Sequence, residues 1–462
     1  MGNTELLLDR TKLFDDSSAD VRGFVSRLFD ADSFVQLGTF TVGSSLLSGD
    51  ETPGEGVVTG YATLGGSPVY FFAHNAAVLS GSIGEAQCKK IASVMDKALD
   101  AAIPFVSIID CSGARVGEGV SMLEGYASLL SRAVKLKNSV PHIVVIKGKC
   151  VGMLATYAAL ADFVIASDSS VVCFNPPSVV AAQAGINKPL NEVFGAKQLN
   201  NTLVSATFSG VDDLRATILD LLSYVELFAS DECDDPNRTD INLAAYDSRS
   251  ILTSVVDNGK CLEYCPSFGT DVICAFAHIN NVSVGIVANN AQDSDVMTGK
   301  GVKKTVAFLK LLEKFGLPLV TLVNSNGLKP CMQCELNGIA LHTAELVEAV
   351  AALPAKVCAI VGNAVGFSYA AFASKALGYG YSLAVCDSVL SPVAPDVAVN
   401  LFADDIKAAA DPVAARAEIE KKYVEDAANP FVAAKDGYVD NIIESSALRP
   451  YLANALLMVL GR

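Results

Sequence analysis

The chain repeats itself. Residues 69–76 read VYFFAHNA and residues 284–291 read VGIVANNA; a helix-patterned segment follows each, KKIASVMDKALDAAIP in the first half and KKTVAFLKLLEKFGLP in the second. Both segments run into an apolar stretch that ends in a glycine-containing loop, FVSIIDCSGA (105–114) and LVTLVNSNGL (319–328). The device recurs after another helix, where HIVVIKGKCVGMLATYAAL (142–160) corresponds to KVCAIVGNAVGFSYAAFAS (356–374). Pro104 and Pro318, Gly148 and Gly362, and Gly152 and Gly366 all stand 214 residues apart. A fixed offset means that one structural unit is used twice. Continuous Val/Ile runs belong to strands covered on both faces, and their alternation with helices makes the unit an α/β fold. The expectation is two similar domains, 1–235 and 236–462, joined within the acidic, polar stretch 229–250 that carries Pro236.

Composition removes several function classes. The 50 acidic against 34 basic side chains give a formal charge of −16, which leaves no basic face to displace counterions from nucleic acid. Hydrophobic residues make up 51% and charged residues 18%, which excludes disorder. Every apolar run is broken before about 18 residues, too short to span a membrane. Charge at Glu5 argues against a signal peptide, and Leu6 stands where myristoylation prefers Ser or Thr. Twelve cysteines in a chain of this size read as reduced thiols, so the expected location is the cytoplasm.

The loops are where chemistry can sit. Strand, glycine loop and helix N-terminus together gather free backbone N–H groups and the positive end of a helix dipole. The first half has two such loops, Ser112-Gly113-Ala114 and Cys150-Val151-Gly152-Met153, and the second has Asn326-Gly327-Leu328 and Val365-Gly366-Phe367. Two loops converging on one point make an oxyanion hole for a thioester enolate or a tetrahedral intermediate. The glycines alone are equally compatible with tight strand-to-helix turns.

Other chemistries lack their residues. Four histidines and no G-x-S-x-G elbow disfavour a Ser-His-Asp hydrolase, and there is neither a P-loop nor an H-E-x-x-H. Cys331-Met332-Gln333-Cys334 is a C-x-x-C, and Cys261 with Cys265 is a looser pair; the separation of the two pairs argues against zinc, so no metal is expected. Lys89 and Lys90 lie early in a helix, where a lysine opposes the dipole unless an anion is near.

At these residues the chain resembles the carboxyltransferase family of biotin-dependent enzymes, typified by the propionyl-CoA carboxylase beta chain and the carboxyltransferase subunit of methylmalonyl-CoA and glutaconyl-CoA decarboxylases. The resemblance covers the chain from about residue 20 onward. GVVTGYATLGGSPVYFFAHNAAVLSGSIGEAQCKKI (56–91), DCSGARVGEG (110–119) and GKCVGMLATYAALADF (148–163) carry it in the first half; 282–290, 315–328 and 433–443 carry it in the second. It implies a tandem pair of crotonase-like domains that move a carboxyl group between carrier-borne biotin and the α-carbon of a short acyl-CoA. The first-domain loops (Gly113, Ala114, Gly152, Met153) would hold the thioester oxygen, and the second-domain loops (Gly327, Leu328, Gly366, Phe367) the biotin ureido oxygen. Lys89, Lys90 and Arg115 are the candidate CoA contacts.

The resemblance also implies partners: a biotin carrier protein, a biotin carboxylase or a membrane decarboxylase subunit, and further copies of the chain, as a dimer at least and commonly a hexamer. Membrane association would come only through those partners. No A-M-K-M biotinylation site, ATP-grasp signature or N-terminal Cys₄ zinc ribbon occurs in the sequence. Several positions depart from the family pattern. Met153 and Phe367 replace the second glycine of a Gly-Gly pair, Asn324 stands where aspartate is usual, and CMQCE replaces G-T-A-Q-E. Residues 186–210 lack the family's histidine, whereas His342 is kept. Two other readings use the same fold: a biotin-free hydratase or hydrolase, with Glu118 as its acid/base, and a scaffold whose holes are blocked by Met153 and Phe367.

Overall fold

The computed structural model describes residues 2–44, 51–199, 201–225, 234–239 and 247–461. Its contacts divide the chain into two compact units, Met1–Asp220 and Leu221–Arg462. Of the expected junction, residues 229–233 and 240–246 lie outside the described residues.

In the first unit an antiparallel pair, Val57–Leu64 and Ser67–His74, feeds a parallel run of Phe105–Cys111, His142–Val151 and Phe163–Ser167. Short strands extend both edges, and Val171–Cys173 pairs with the C-terminal half of His142–Val151. The second unit repeats this order. Val272–Ile279 and Val282–Asn289 are antiparallel; Leu319–Ser325, Lys356–Val365 and Tyr381–Val385 follow in parallel, and Val389–Ser391 pairs with Lys356–Val365. The repeat in the sequence is thus a repeat of topology.

Local chemistry sets the same turns twice. The hairpin turn is Gly65-Gly66 in one unit and Asn280-Asn281 in the other, all at positive φ, as a two-residue hairpin with right-handed strand twist requires. The helix Glu85–Ala101 buries Ile91, Val94, Met95 and Ala98 at 3.6-residue spacing, in one core cluster with Phe72, Phe105 and Val144 of the sheet. Each such apolar side chain contributes roughly 1.5–3 kcal/mol. The helix stops at Ala102, in the left-handed region, two residues before Pro104; its counterpart Gly299–Phe315 stops at left-handed Gly316, two before Pro318. Each proline then opens the central strand whose C-terminal end carries a loop of interest.

Candidate functional site

The loops lie where adjacent parallel strands end, the edge at which open α/β sheets bind ligands. Cys111 pairs with Cys150 in the first unit and Ser325 with Ala364 in the second, so each pair of loops leaves its sheet side by side. Just before the end, each central strand carries a register shift, at Asp110 and at Asn324. The side chain at the shift replaces the lost ladder bond: Lys149 N–H donates to Asp110 Oδ1 and Asn363 N–H to Asn324 Oδ1, both at 3.0 Å. A Cβ on Gly148 or Gly362 would stand 2.3 Å from that same oxygen. The sequence departure at Asn324 therefore keeps the one property used, an sp² oxygen acceptor.

Past the shift, residue 113 is committed. Its N–H donates to Cys111 Sγ at 3.4 Å, and its carbonyl accepts from Ile83 N–H at 2.9 Å. Arg115 N–H donates to Ile83 O, also at 2.9 Å. These two bonds bracket Ala114 in a parallel bridge with Ile83, so the Ala114 N–H points to the opposite side. The second unit repeats the arrangement. Gly327 N–H donates to Ser325 Oγ (3.2 Å), while Met297 N–H to Gly327 O and Lys329 N–H to Met297 O, both 2.8 Å, bracket Leu328. The neighbouring loops supply the other donors. Gly152 N–H is spent on Cys173 O at 3.1 Å and Gly366 N–H on Ser391 O at 2.9 Å. Met153 and Phe367 open the helices Met153–Ala159 and Phe367–Phe372, where an N–H has no intrahelical acceptor.

Of the eight loop residues singled out from sequence, four therefore present an N–H with no acceptor among the described residues: Ala114 and Met153, and Leu328 and Phe367. The four glycines have a different part. Their N–H groups face inward, and their positive φ values, between 54° and 122°, aim the residue that follows. Each unit thus offers two main-chain donors at the ends of adjacent strands, which is the donor chemistry of an oxyanion hole.

The side chains suspected of closing the holes do not share one environment. Met153 packs, partly buried, against the core of the first unit, and Phe367 is half-buried. The expected CoA contacts separate more sharply. Lys89 is at the surface, paired with Glu85 at 2.6 Å. Lys90 is instead buried, its Nζ donating to Gly54 O (2.8 Å) and Val57 O (2.6 Å), and burial pushes its ammonium down to about 7. Arg115 is also turned inward, on Glu55, Ser82 O and Glu118. In both, the cation is held by carbonyls or carboxylates of its own unit.

Glu118 is tied down as well. Its Oε2 accepts from Glu85 N–H at 2.6 Å, capping the helix Glu85–Ala101, and its Oε1 lies 3.4 Å from Arg115 Nη1. Cys331 precedes the short helix Met332–Leu336, and the Cys334 N–H beside it lowers its thiol. Among the described residues no group of three or more His, Cys, Asp or Glu side chains could hold a metal, and no helix is long and apolar enough to cross a membrane.

His74 ends the strand Ser67–His74 fully buried, and desolvation pushes its imidazole from 6.5 down to about 4. A depressed value makes this contribution complete above the unfolded value and lost as the pH falls from 6.5 toward 4, by roughly 3 kcal/mol in all. We expect the melting temperature to fall less between pH 7 and pH 5 in His74→Gln than in the natural chain. Equal falls would remove His74 from the acid lability of this unit.

Two such units, each carrying paired main-chain donors, have the build of enzymes that stabilise an oxyanion developing on a carbonyl substrate. The chain belongs to the carboxyl transferase family, whose domain model matches residues 21–460. It is 32% identical to the methylmalonyl-CoA decarboxylase subunit alpha of Propionigenium modestum, over 94% of this chain and 89% of that one. It is 31% identical to the propionyl-CoA carboxylase beta chain of Saccharopolyspora erythraea, over 94% of this chain and 86% of that one. Among solved structures, the transcarboxylase 12S hexamer with methylmalonyl-coenzyme A and methylmalonic acid bound matches with a TM-score of 0.91 at 28% identity, covering 100% of this chain and 95% of that chain. The fold is the tandem crotonase-like pair implied by the resemblance, and the activity is that of a biotin-dependent acyl-CoA carboxyltransferase.

Sequence reasoning did not find Glu55, whose buried carboxylate meets Arg115. Nor did it find the strand irregularities at Asp110 and Asn324, although the matched glycines Gly148 and Gly362 were their trace.

Proposed function

We propose that the chain is the carboxyltransferase subunit of a carboxylase or decarboxylase complex that works on a short acyl-CoA of the methylmalonyl/propionyl type. Malonyl- and glutaconyl-CoA are the neighbouring choices. One observation carries the reading: the same pair of free main-chain donors occurs once in each unit, Ala114 with Met153 and Leu328 with Phe367. A carboxyl transfer between two carbonyl compounds needs two such sites.

The first pair receives the thioester oxygen. As the α-carbon becomes nucleophilic, negative charge collects on that oxygen, and each preorganised donor lowers the barrier by about 3–4 kcal/mol. The second pair fits a ureido oxygen, whose two lone pairs match two N–H donors. Biotin, on a separate carrier protein, supplies the nitrogen that carries the carboxyl group. Main-chain donors cannot titrate in the physiological range, so neither site needs one of the four histidines. The methylmalonyl-coenzyme A in the 12S relative supports the acyl group, and its hexamer supports assembly of several copies of this chain, a dimer at least. A biotin carboxylase or a membrane decarboxylase subunit would complete the complex. The chain would then be cytoplasmic and reach a membrane only through such a partner.

The test is release of the carboxyl group from malonyl-, methylmalonyl- and glutaconyl-CoA by the purified chain, with and without free biotin. Biotin-dependent loss, fastest from methylmalonyl-CoA, is the expected result. Turnover that ignores biotin would replace this reading with the hydrolytic one. No turnover and no binding of CoA would make the chain a scaffold.

A further inference from the structure

Glu55 has an unfavourable backbone and no solvent. It lies in the turn Gly54–Gly56 at φ 57°, ψ 25°, a left-handed conformation that costs a side-chain-bearing residue about 1–2 kcal/mol. Glycines flank it at φ 60° and 66°. A third glycine would be cheaper there, yet the position holds a carboxylate with 0% exposure. Its Oε2 takes the Arg115 guanidinium at 2.6 Å, and its carbonyl accepts from Arg115 Nη2 at 3.3 Å and Gln87 Nε2 at 2.7 Å. The local strain is thus spent on bringing an acid against Arg115.

Arg115 in turn fixes one particular stretch of main chain. Its Nε donates to Ser82 O at 3.1 Å, its Nη1 approaches Glu118 Oε1 at 3.4 Å, and its own N–H donates to Ile83 O at 2.9 Å. The residue before it is Ala114, whose N–H is aimed outward because residues 113 and 115 are both bonded to Ile83. Among the described residues the second unit has no such clamp at the matching place. Lys329, 214 residues on, is exposed; Asp271 steadies that region instead, accepting from Thr298 N–H (2.7 Å) and Thr298 Oγ (2.8 Å).

We infer that Glu55 is a positioning residue for the acyl-CoA side of the reaction: through Arg115 it sets the direction of the Ala114 N–H toward the thioester oxygen. This rests on the assignment of Ala114 and Met153 to the acyl-CoA. Glu55 touches no substrate and acts through the guanidinium. A displaced donor weakens the charge-developed state more than the neutral thioester, so kcat carries the effect.

The experiment compares Glu55→Gly, Glu55→Gln, Arg115→Lys and the Glu55→Gly/Arg115→Lys double variant in biotin-dependent decarboxylation, with melting temperature and oligomeric state recorded. Glycine suits the left-handed turn, so Glu55→Gly removes the acid without adding strain. Its kcat should fall roughly 10–100-fold, with the acyl-CoA KM changed less than about threefold. Glu55→Gln keeps an acceptor for the guanidinium and should regain most of that kcat. The double variant should be no slower than the worse single one, because both act along one chain of contacts. Unchanged kcat in Glu55→Gly, or losses that multiply in the double variant, would overturn the inference. An equal kcat loss in Lys329→Ala, the counterpart in the other unit, would also overturn it. Met153→Pro, which deletes the partner donor outright, separates the two levels. If it leaves kcat intact the hole assignment has failed, and if it alone lowers kcat the positioning role has failed.

Discussion

Met153→Pro should lower kcat for carboxyl transfer about 100–1,000-fold while the melting temperature moves by only a few degrees. The asymmetry follows from the position. Met153 is the first residue of the helix Met153–Ala159, where proline's fixed φ is already suitable and its missing N–H breaks no helical bond. Gly152, at φ 77° and ψ −147°, lies outside the α region that a following proline disfavours. The substitution thus deletes one donor and leaves the scaffold. Phe367→Pro makes the same deletion in the second unit, behind Gly366 at φ 54° and ψ −119°. Met153→Ala is the necessary comparison, because it keeps the N–H and removes only the side chain that packs on the first core. It should cost about 2 kcal/mol of stability and little activity. Steady-state kinetics with methylmalonyl-CoA and free biotin decide the matter. If both proline variants stay within threefold of the natural chain, the main-chain donors are not the catalytic groups; if Met153→Ala gains activity, the side chain was an obstruction after all.

The repeat was legible because its signals are local and strong. Buried parallel strands need long Val/Ile runs, the prolines before them stop a helix, and the glycines after them take positive φ, so both units could be read from spacing alone. Which atom of each loop does the work was not legible. Gly113 and Ala114 look interchangeable in sequence, and only the bonds to Ile83 turn one N–H inward and the next outward. The partners of Lys90 and Arg115 were not legible either: Arg115 meets Glu55, far away in the chain, and Lys90 meets main-chain carbonyls with no sequence signature. That the Met153 side chain packs against the first core was equally invisible in the sequence.

The strand irregularity before each loop gives the second large effect. Gly148→Ala should destabilise the first unit by about 2–3 kcal/mol and slow carboxyl transfer at least roughly tenfold. Gly148 does not have a positive φ, so the penalty is not backbone strain. Its new methyl group would stand 2.3 Å from Asp110 Oδ1, the oxygen that accepts from Lys149 N–H, and one of the two must move. Either movement shifts the end of Phe105–Cys111 and with it the Ser112-Gly113-Ala114 loop. Gly362→Ala makes the same collision with Asn324 Oδ1 at 2.3 Å and should act on the second loop in the same way. Asp110→Asn should by contrast be nearly silent, because the second unit already builds this feature with an amide that accepts the equivalent N–H at the same 3.0 Å. Chemical denaturation and carboxyl transfer, measured on all three variants, distinguish shape from charge. A loss in Asp110→Asn as large as that in Gly148→Ala would mean that the first unit needs the negative charge beside its loop, and the two loops would then differ in electrostatics as well as in what they bind.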